Sequence, residues 1–164
     1  MTATPAATFR QATAADIPAM SAIRLAVTEN VLSDPSRVTL AMYQDYLEAV
    51  GRGWVAEIDG AILAFCYADR RQGSIWALFV DPAHEGRGLA RPLLALAAGW
   101  LFALGHAAVT LTTGAGTRAD RFYARRGWQR MPLGAKEVQY TLAHGSPAAY
   151  RAQLDAASLI PHAI

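Results

Sequence analysis

The sequence predicts an α/β domain in which a run of antiparallel strands is followed by a helical crossover. Three observations carry that prediction. Asp59-Gly60 sits between two apolar runs and has the signature of a two-residue type I′ hairpin turn. A glycine-bearing turn, His84 to Leu89, joins an apolar strand to a long apolar helix. Hydrophobic residues make up 53% of the 164 and charged residues 17%, which suits one domain with a sizeable core and does not suit a disordered chain.

The elements follow in order. Met1 to Thr8 is read as a loose end and Phe9–Ala12 as a short strand. Thr13 with Asp16 three residues on resembles a capping box, and Pro18 fits a first helical turn. Ile17, Met20, Ile23 and Val27 have helical spacing, so a helix is expected to run to about Glu29. Asn30–Ser36, with Asp34-Pro35, is a loop. Thr39–Val50 reads as a second helix with Met42, Tyr43, Tyr46, Leu47 and Val50 on one side, stopped by Gly51 and Gly53. Trp54–Ile58 and Ala61–Ala68 are the hairpin strands, and Ser74–Val80 follows the turn at Gln72-Gly73. Leu89–Leu104 is the apolar helix, Ala107–Thr113 a strand, and Thr117–Arg126 a short basic helix ended by Gly127. Trp128–Met131 and Glu137–Leu142 form a last strand pair. The order is βααβββαβαββ over a core of residues 9–142 within one domain of 1–164, and the tail 143–164 is expected to hold one helix near Ala148–Ser158.

Several classes are excluded. With 15 basic and 13 acidic residues and no long like-charge run, a nucleic-acid scaffold is not expected. One cysteine, Cys66, rules out an intrachain disulfide framework and a cysteine-rich zinc site. His84, His106, His144 and His162 lack metal-ligand spacing, so no metal is expected. Leu89–Leu104 is shorter than the roughly 18–20 apolar residues a spanning helix needs, and it contains Arg91, Pro92 and Gly99. No membrane association is therefore expected. No secretory pattern is visible at the N-terminus, so a cytoplasmic location is expected.

The segment Val80-Asp81-Pro82-Ala83-His84-Glu85-Gly86-Arg87-Gly88-Leu89-Ala90-Arg91 carries the chemistry. Glycines let the backbone adopt positive φ and approach a ligand closely. The first amides of a helix have no intrahelical acceptor and attract anions, a pyrophosphate among them. Arg87 and Arg91 add positive charge, and Pro92 offers no amide, which leaves the cradle to residues 86–91. A Walker loop would need Gly-Lys-Ser/Thr, which is missing. A dinucleotide fingerprint would need a third glycine where Arg91 stands.

The segment resembles the acyl-CoA loop of the GNAT superfamily (Gcn5-related N-acetyltransferases), whose pattern is Gln/Arg-x-x-Gly-x-Gly/Ala. Gly88 and Ala90 fill its last two places, and Glu85 departs from it at the first. Phe122-Tyr123-Ala124-Arg125-Arg126-Gly127-Trp128 is similar to the family's Phe-Tyr-x-x-x-Gly-Phe segment, and Phe9-Arg10-x-Ala12-x-x-x-Asp16-Ile17-Pro18 to its opening strand and helix. The resemblance implies a mixed, strongly twisted sheet with helices on both faces and two splayed central strands, here Ser74–Val80 and Ala107–Thr113. It implies acetyl-CoA as cosubstrate, with pantetheine on the backbone of Leu78, Phe79 and Val80 and the pyrophosphate on Gly86, Arg87, Gly88, Leu89, Ala90 and Arg91. It also implies an amine acceptor, a small molecule or a peptide, and leaves a homodimer open because dimers are common among relatives.

Roles for side chains follow from the same resemblance. Tyr123 matches the tyrosine that protonates the departing thiolate and contacts the cofactor; a phenol with a pKa near about 10 carries its proton at neutral pH. The base is less legible, because Ile75-Trp76-Ala77-Leu78 holds no carboxylate where relatives place a glutamate. Glu29 is the first candidate, with Asp34, Asp69 or a water chain as alternatives. Gly116 stands where relatives carry an asparagine. His84 is expected near phosphate, while the other histidines are expected at the surface or in packing. Cys66, inside an apolar strand, reads as an inert buried thiol. Arg118, Arg121, Arg125 and Arg126 form a basic face that either meets the cofactor's ribose phosphate or is simply solvated. Trp54, Trp76, Tyr43 and Tyr46 line either the acceptor pocket or the core. The activity expected is direct acetyl transfer to a primary amine in a ternary complex. The alternative is an acyl-CoA-binding module without catalysis, which the absent strand glutamate and Glu85 both favour.

Overall fold

The structure, a computed structural model, describes residues 6–31 and 39–159. Asp34-Pro35, His162, most of the expected loose end and the side chain of Tyr46 lie outside them. The elements are β1 (Thr8–Gln11), α1 (Ile17–Ala26), α2 (Leu40–Glu48), β2 (Gly51–Ile58), β3 (Ala61–Asp69), β4 (Ser74–Val80), α3 (Ala90–Ala103), β5 (Ala108–Gly114), α4 (Arg118–Arg125), β6 (Gln129–Pro132), β7 (Glu137–Ala143) and α5 (Pro147–Ala157). The order matches the sequence reading, and the tail supplies the expected helix.

Seven strands form one mixed sheet in the order β1-β2-β3-β4-β5-β7-β6. Asp59 and Gly60 both have positive φ, as a type I′ turn demands, and they join β2 to β3. β4 pairs with β3 along its length, antiparallel, from Ala64↔Val80 to Asp69↔Ser74. Its parallel pairing with β5 is confined to Ser74↔Thr110. Beyond that point the two strands part, and among the described residues no strand pairs with the second edge of β4 at Leu78–Val80.

Helices cover both faces. On one face, Ile17, Met20 and Ile23 of α1 and Tyr43 of α2 pack on Val55, Phe65, Tyr67 and Ala77. On the other, Leu93, Leu94, Ala97 and Leu101 of α3 pack on Ala64, Cys66, Val109, Leu111 and Tyr140, and α5 seals that layer with Ala148 and Ala149. Because α3 is buried on most of its circumference, its sequence lacks a polar stripe.

Two boundaries differ from the sequence reading. The first helix ends at Ala26, not near Glu29, and Val27 is already extended. Leaving the helix early carries Glu29 and Asn30 across to β5 and α4, where both bond to backbone amides. Gly51 and Gly53 do not stop α2; they open β2. Neither has positive φ. Gly53 faces Tyr67 across the ladder, and a Cβ there would stand 2.8 Å from Tyr67 Cε1. The glycine serves the approach of an aromatic ring.

Gly53→Ala is therefore expected to cost about 1–3 kcal/mol of stability through overpacking against Tyr67. Gly99→Ala, inside α3 with open space where its Cβ would stand, is expected to gain about 0.5–1 kcal/mol. Urea unfolding of the two variants beside the parent chain checks both signs.

Candidate active site

A cleft of about 330 Å³ opens where β4 and β5 part. Leu78, Phe79 and Val80 form one wall, the turn and first residues of α3 a second, and α4 with Tyr123 a third. The chain from Val27 to Asn30 closes its rim.

The turn is shaped by its glycines. Gly86 and Gly88 have φ of 76° and 75°, a region that residues with a Cβ enter only at a cost. A Cβ at Gly88 would meet nothing within 4 Å, so the backbone there faces open cleft. The first amides of α3 lack intrahelical acceptors and border the same space. Asp81 steadies the entry: its Oδ1 accepts from Ala83 N (3.3 Å) and its Oδ2 meets His84 Nδ1 at 3.1 Å. This turn and the open edge of β4 fit a long anionic ligand with an amide-bearing arm: phosphates at the helix start and the arm along the strand.

The cleft wall includes Leu78, Phe79, Val80, Gly86, Gly88, Leu89, Ala90, Arg91, Tyr123 and Glu29. Arg87 is exposed and is not on that wall. Glu85, the departure from the family's pattern, also lines the cleft, and its charge is paired with Arg118, whose Nη1 donates to Glu85 Oε2 at 3.1 Å. Tyr123 is buried between Phe122, Trp128 and Tyr140. Burial pushes its phenol well above the ordinary value, with nearby Cys66 adding slightly, so it carries its proton at neutral pH. Cys66 is fully buried, and burial pushes its thiol up too; it has no thiolate to offer as a nucleophile.

Glu29 lines the rim, but one of its oxygens is engaged: Arg118 N donates to Oε2 at 2.7 Å, which caps α4 from across the cleft. Asp69 is buried at the far end of β3, where Arg71 N donates to it at 2.8 Å, and is not on the cleft wall. Trp54, Trp76 and Tyr43 are also off the wall. Trp54 packs edge-on to Trp100, and Tyr43 and Trp76 pack with Tyr67. His106 bonds Arg70 O at 2.6 Å, and His144 lies on Phe102, both packing roles. Of the basic helix, Arg118 reaches the cleft, Arg121 donates to Gly116 O and Arg126 pairs with Asp155. Among the described residues no group of His, Cys, Asp or Glu could hold a metal ion, and no helix is long and apolar enough to cross a membrane.

Sequence reading missed two supports of the site. Asn30, at φ 53°, accepts from Gly114 N at 2.8 Å and fastens the rim to the end of β5. Asparagine's tolerance of that backbone region was the available signal. The second is Asp120 at the start of α4. It takes both Arg130 Nε (2.9 Å) and Nη2 (3.0 Å), Gly116 N (2.8 Å) and the Tyr140 hydroxyl, while Thr117 caps the helix by accepting from Asp120 N. Arg130 above all, then Tyr140 and the Gly116 amide, hold the Asp120 carboxyl far below the usual carboxylate range. These bonds tie α4, which bears Tyr123, to β6 and β7.

With this geometry in view, a family model described as the acetyltransferase (GNAT) family matches residues 19–128. The chain belongs to that family and is an acyltransferase of its class. No curated protein matches the chain in sequence. An N-acetyltransferase from Staphylococcus aureus Mu50 has the same fold, with a TM-score of 0.71 at 18% identity over 84% of this chain and 98% of that one. The yncA protein of Salmonella typhimurium, solved with its cofactor acetyl-CoA, gives a TM-score of 0.66 at 19% identity over 87% and 98%. The ribosomal-protein-S18-alanine N-acetyltransferase of Escherichia coli gives 0.65 at 18% over 83% and 91%.

Asp120→Asn tests the support of α4. A carboxyl whose folded pKa is depressed contributes stability above its unfolded value of about 3.9 and loses it as pH falls below that. The gap in urea midpoint between the parent chain and Asp120→Asn is expected to be widest at neutral pH and to close as pH drops below about 4.

Proposed function

We propose that the protein moves an acetyl group from acetyl-CoA to a primary amine by direct transfer in a ternary complex. The observation that carries this reading is one cleft that joins the open edge of β4, the glycine turn of α3 and the hydroxyl-bearing Tyr123. Acetyl-CoA would supply the acyl group: the amine nitrogen bonds to the thioester carbonyl carbon as the carbon–sulfur bond breaks.

The residues divide the remaining work. The backbone of Gly86 to Arg91 holds the pyrophosphate, with the Arg91 side chain beside it on the cleft wall. The Leu78 and Val80 amides, which alternate away from β3 toward the open edge, hold the pantetheine arm and stabilise the negative charge that develops on the carbonyl oxygen. Tyr123, which burial keeps protonated at neutral pH, donates a hydrogen bond from its hydroxyl to the departing sulfur, and the thiolate then takes a proton from solvent. Glu29 takes the ammonium proton at the rim, directly or through water. Its Oε2 is held by Arg118 N, which fixes the carboxylate and leaves the other oxygen for the proton. The second amine proton leaves to solvent after attack. Holding amine and thioester in line accounts for much of the rate.

Calorimetry with acetyl-CoA is expected to give a dissociation constant in the micromolar range, about −8 kcal/mol at 1 μM. Gly88→Glu, which puts a carboxylate in the cradle, is expected to abolish that heat. Tyr123→Phe is expected to retain the heat and to lower kcat about 100-fold or more in a thiol-release assay. Acetyl-CoA binding unaffected by Gly88→Glu would sink the reading.

A further inference from the structure

Arg24 is the one side chain among the described residues with a buried nitrogen that has no hydrogen-bond partner. Its Nη1 is sealed from solvent and meets no acceptor. The guanidinium lies 4.2 Å from the centroid of the Phe79 ring. Burial draws its pKa down, and the only group that offsets this is the Tyr43 phenol, which burial itself keeps neutral. Among the described residues no carboxylate pairs with it. Other arginines have carboxylate partners: Arg10 has Asp16 and Glu57, Arg118 has Glu85, and Arg130 has Asp120.

A stacked cation with a bare N–H is a poor packing device. Stacking alone would be served by an apolar side chain, and a buried guanidinium nitrogen without an acceptor is destabilising. Such a group calls for an acceptor from outside, and the planar fork of arginine fits a carboxylate best. Its place in the fold says where that carboxylate comes from. Arg24 stands on the last turn of α1, three and four residues before Val27 and Thr28, which line the cleft. Phe79, whose ring it covers, belongs to the cleft wall itself. Arg24 is not itself on the cleft wall and its Nη1 is sealed, but the residue as a whole is only half-buried, which leaves the other side of the guanidinium fork open. The anion it receives lies on the α1 face of the sheet, opposite the α3 turn that takes the phosphates.

We propose that Arg24 anchors a carboxylate of the acceptor, and that the acceptor is a small molecule of amino-acid type carrying its amine and its carboxylate together. This rests on the acetyl-transfer reading above. The anchor lies one ring's width from Phe79, so a carboxylate held there places an amine only a few bonds away beside the open edge of β4. A peptide N-terminus, whose own carboxyl is an amide, offers Arg24 no charge.

The test uses the full chain, acetyl-CoA and a panel of free amino acids, each beside its α-amide and its decarboxylated amine, with thiol release as readout. At least one acid is expected to exceed its amide ten-fold or more in kcat/KM. In Arg24→Met that preference is expected to collapse toward equality through KM for the acid; Arg24→Lys is expected to keep part of it. Acetyl-CoA affinity, measured by calorimetry on all three proteins, is expected to stay within about two-fold. Equal use of acids and amides by the parent chain, an equal loss for both in Arg24→Met, or binding of acetyl-CoA with no turnover of any acid would each overturn the proposal. Failure of the parent chain to bind acetyl-CoA would strike the underlying reading instead.

Discussion

The separation of β4 from β5 is the constraint on which the rest depends. Parallel strands in a sheet normally continue their ladder, yet here one register pair, Ser74↔Thr110, joins the two halves. The opening is tolerable because each strand is paired along its other edge, β4 with β3 and β5 with β7. The crossover helix α3 packs on both halves at once, and its buried Leu93, Ala97 and Leu101 hold the halves at a fixed distance. An unpaired strand edge in a protein interior is ordinarily a liability. In this fold it is a row of amides and carbonyls facing a cleft, available to a ligand that carries amides of its own.

The cleft has two walls that the chain must hold apart and in register, and the long-range bonds do that. Glu29 and Asn30, leaving α1 early, bond to Arg118 N and Gly114 N and strap the first half of the molecule to the second. Asp120 then binds α4 to β6 and β7 through Arg130 and Tyr140. A largely buried carboxylate remains charged there because a bidentate guanidinium, a hydroxyl and an amide all donate to it. The Glu85–Arg118 pair is of a different kind. Both partners are exposed, so it adds little stability. Its effect is local: the carboxylate beside the anion cradle already has a cation.

The two faces of the sheet divide the cleft's chemistry. On the α3 face are the glycine turn, the helix start and Tyr123. On the α1 face are the ring of Phe79, the aromatic packing of Phe65, Tyr67, Trp76 and Tyr43, and the cation of Arg24. Both faces border the open edge of β4, through the α3 turn on one side and the ring of Phe79 on the other.

What could be read from the chain alone was whatever short-range chemistry dictates. Asp59-Gly60 makes its turn through its own φ preferences, Gly86 and Gly88 shape the cradle through theirs, and the apolar run of α3 buries itself wherever a sheet is offered. These carried the fold class, the element order and most of the cleft wall. The misreadings all involve partners distant in sequence. Gly53 looked like a helix stop because nothing nearby reveals that Tyr67 lies across from it. The end of α1, the engagement of Glu29 by α4 and the clasp of Asp120 by Arg130 and Tyr140 were set by groups that meet only after the sheet has assembled. Arg24 is the clearest case: its sequence context is that of an ordinary helical surface, and only the packing of α1 onto Phe79 leaves one of its nitrogens buried and bare. Backbone preference is a property of the residue itself, whereas burial and pairing belong to the folded molecule, and the positioning of the site rests on the second.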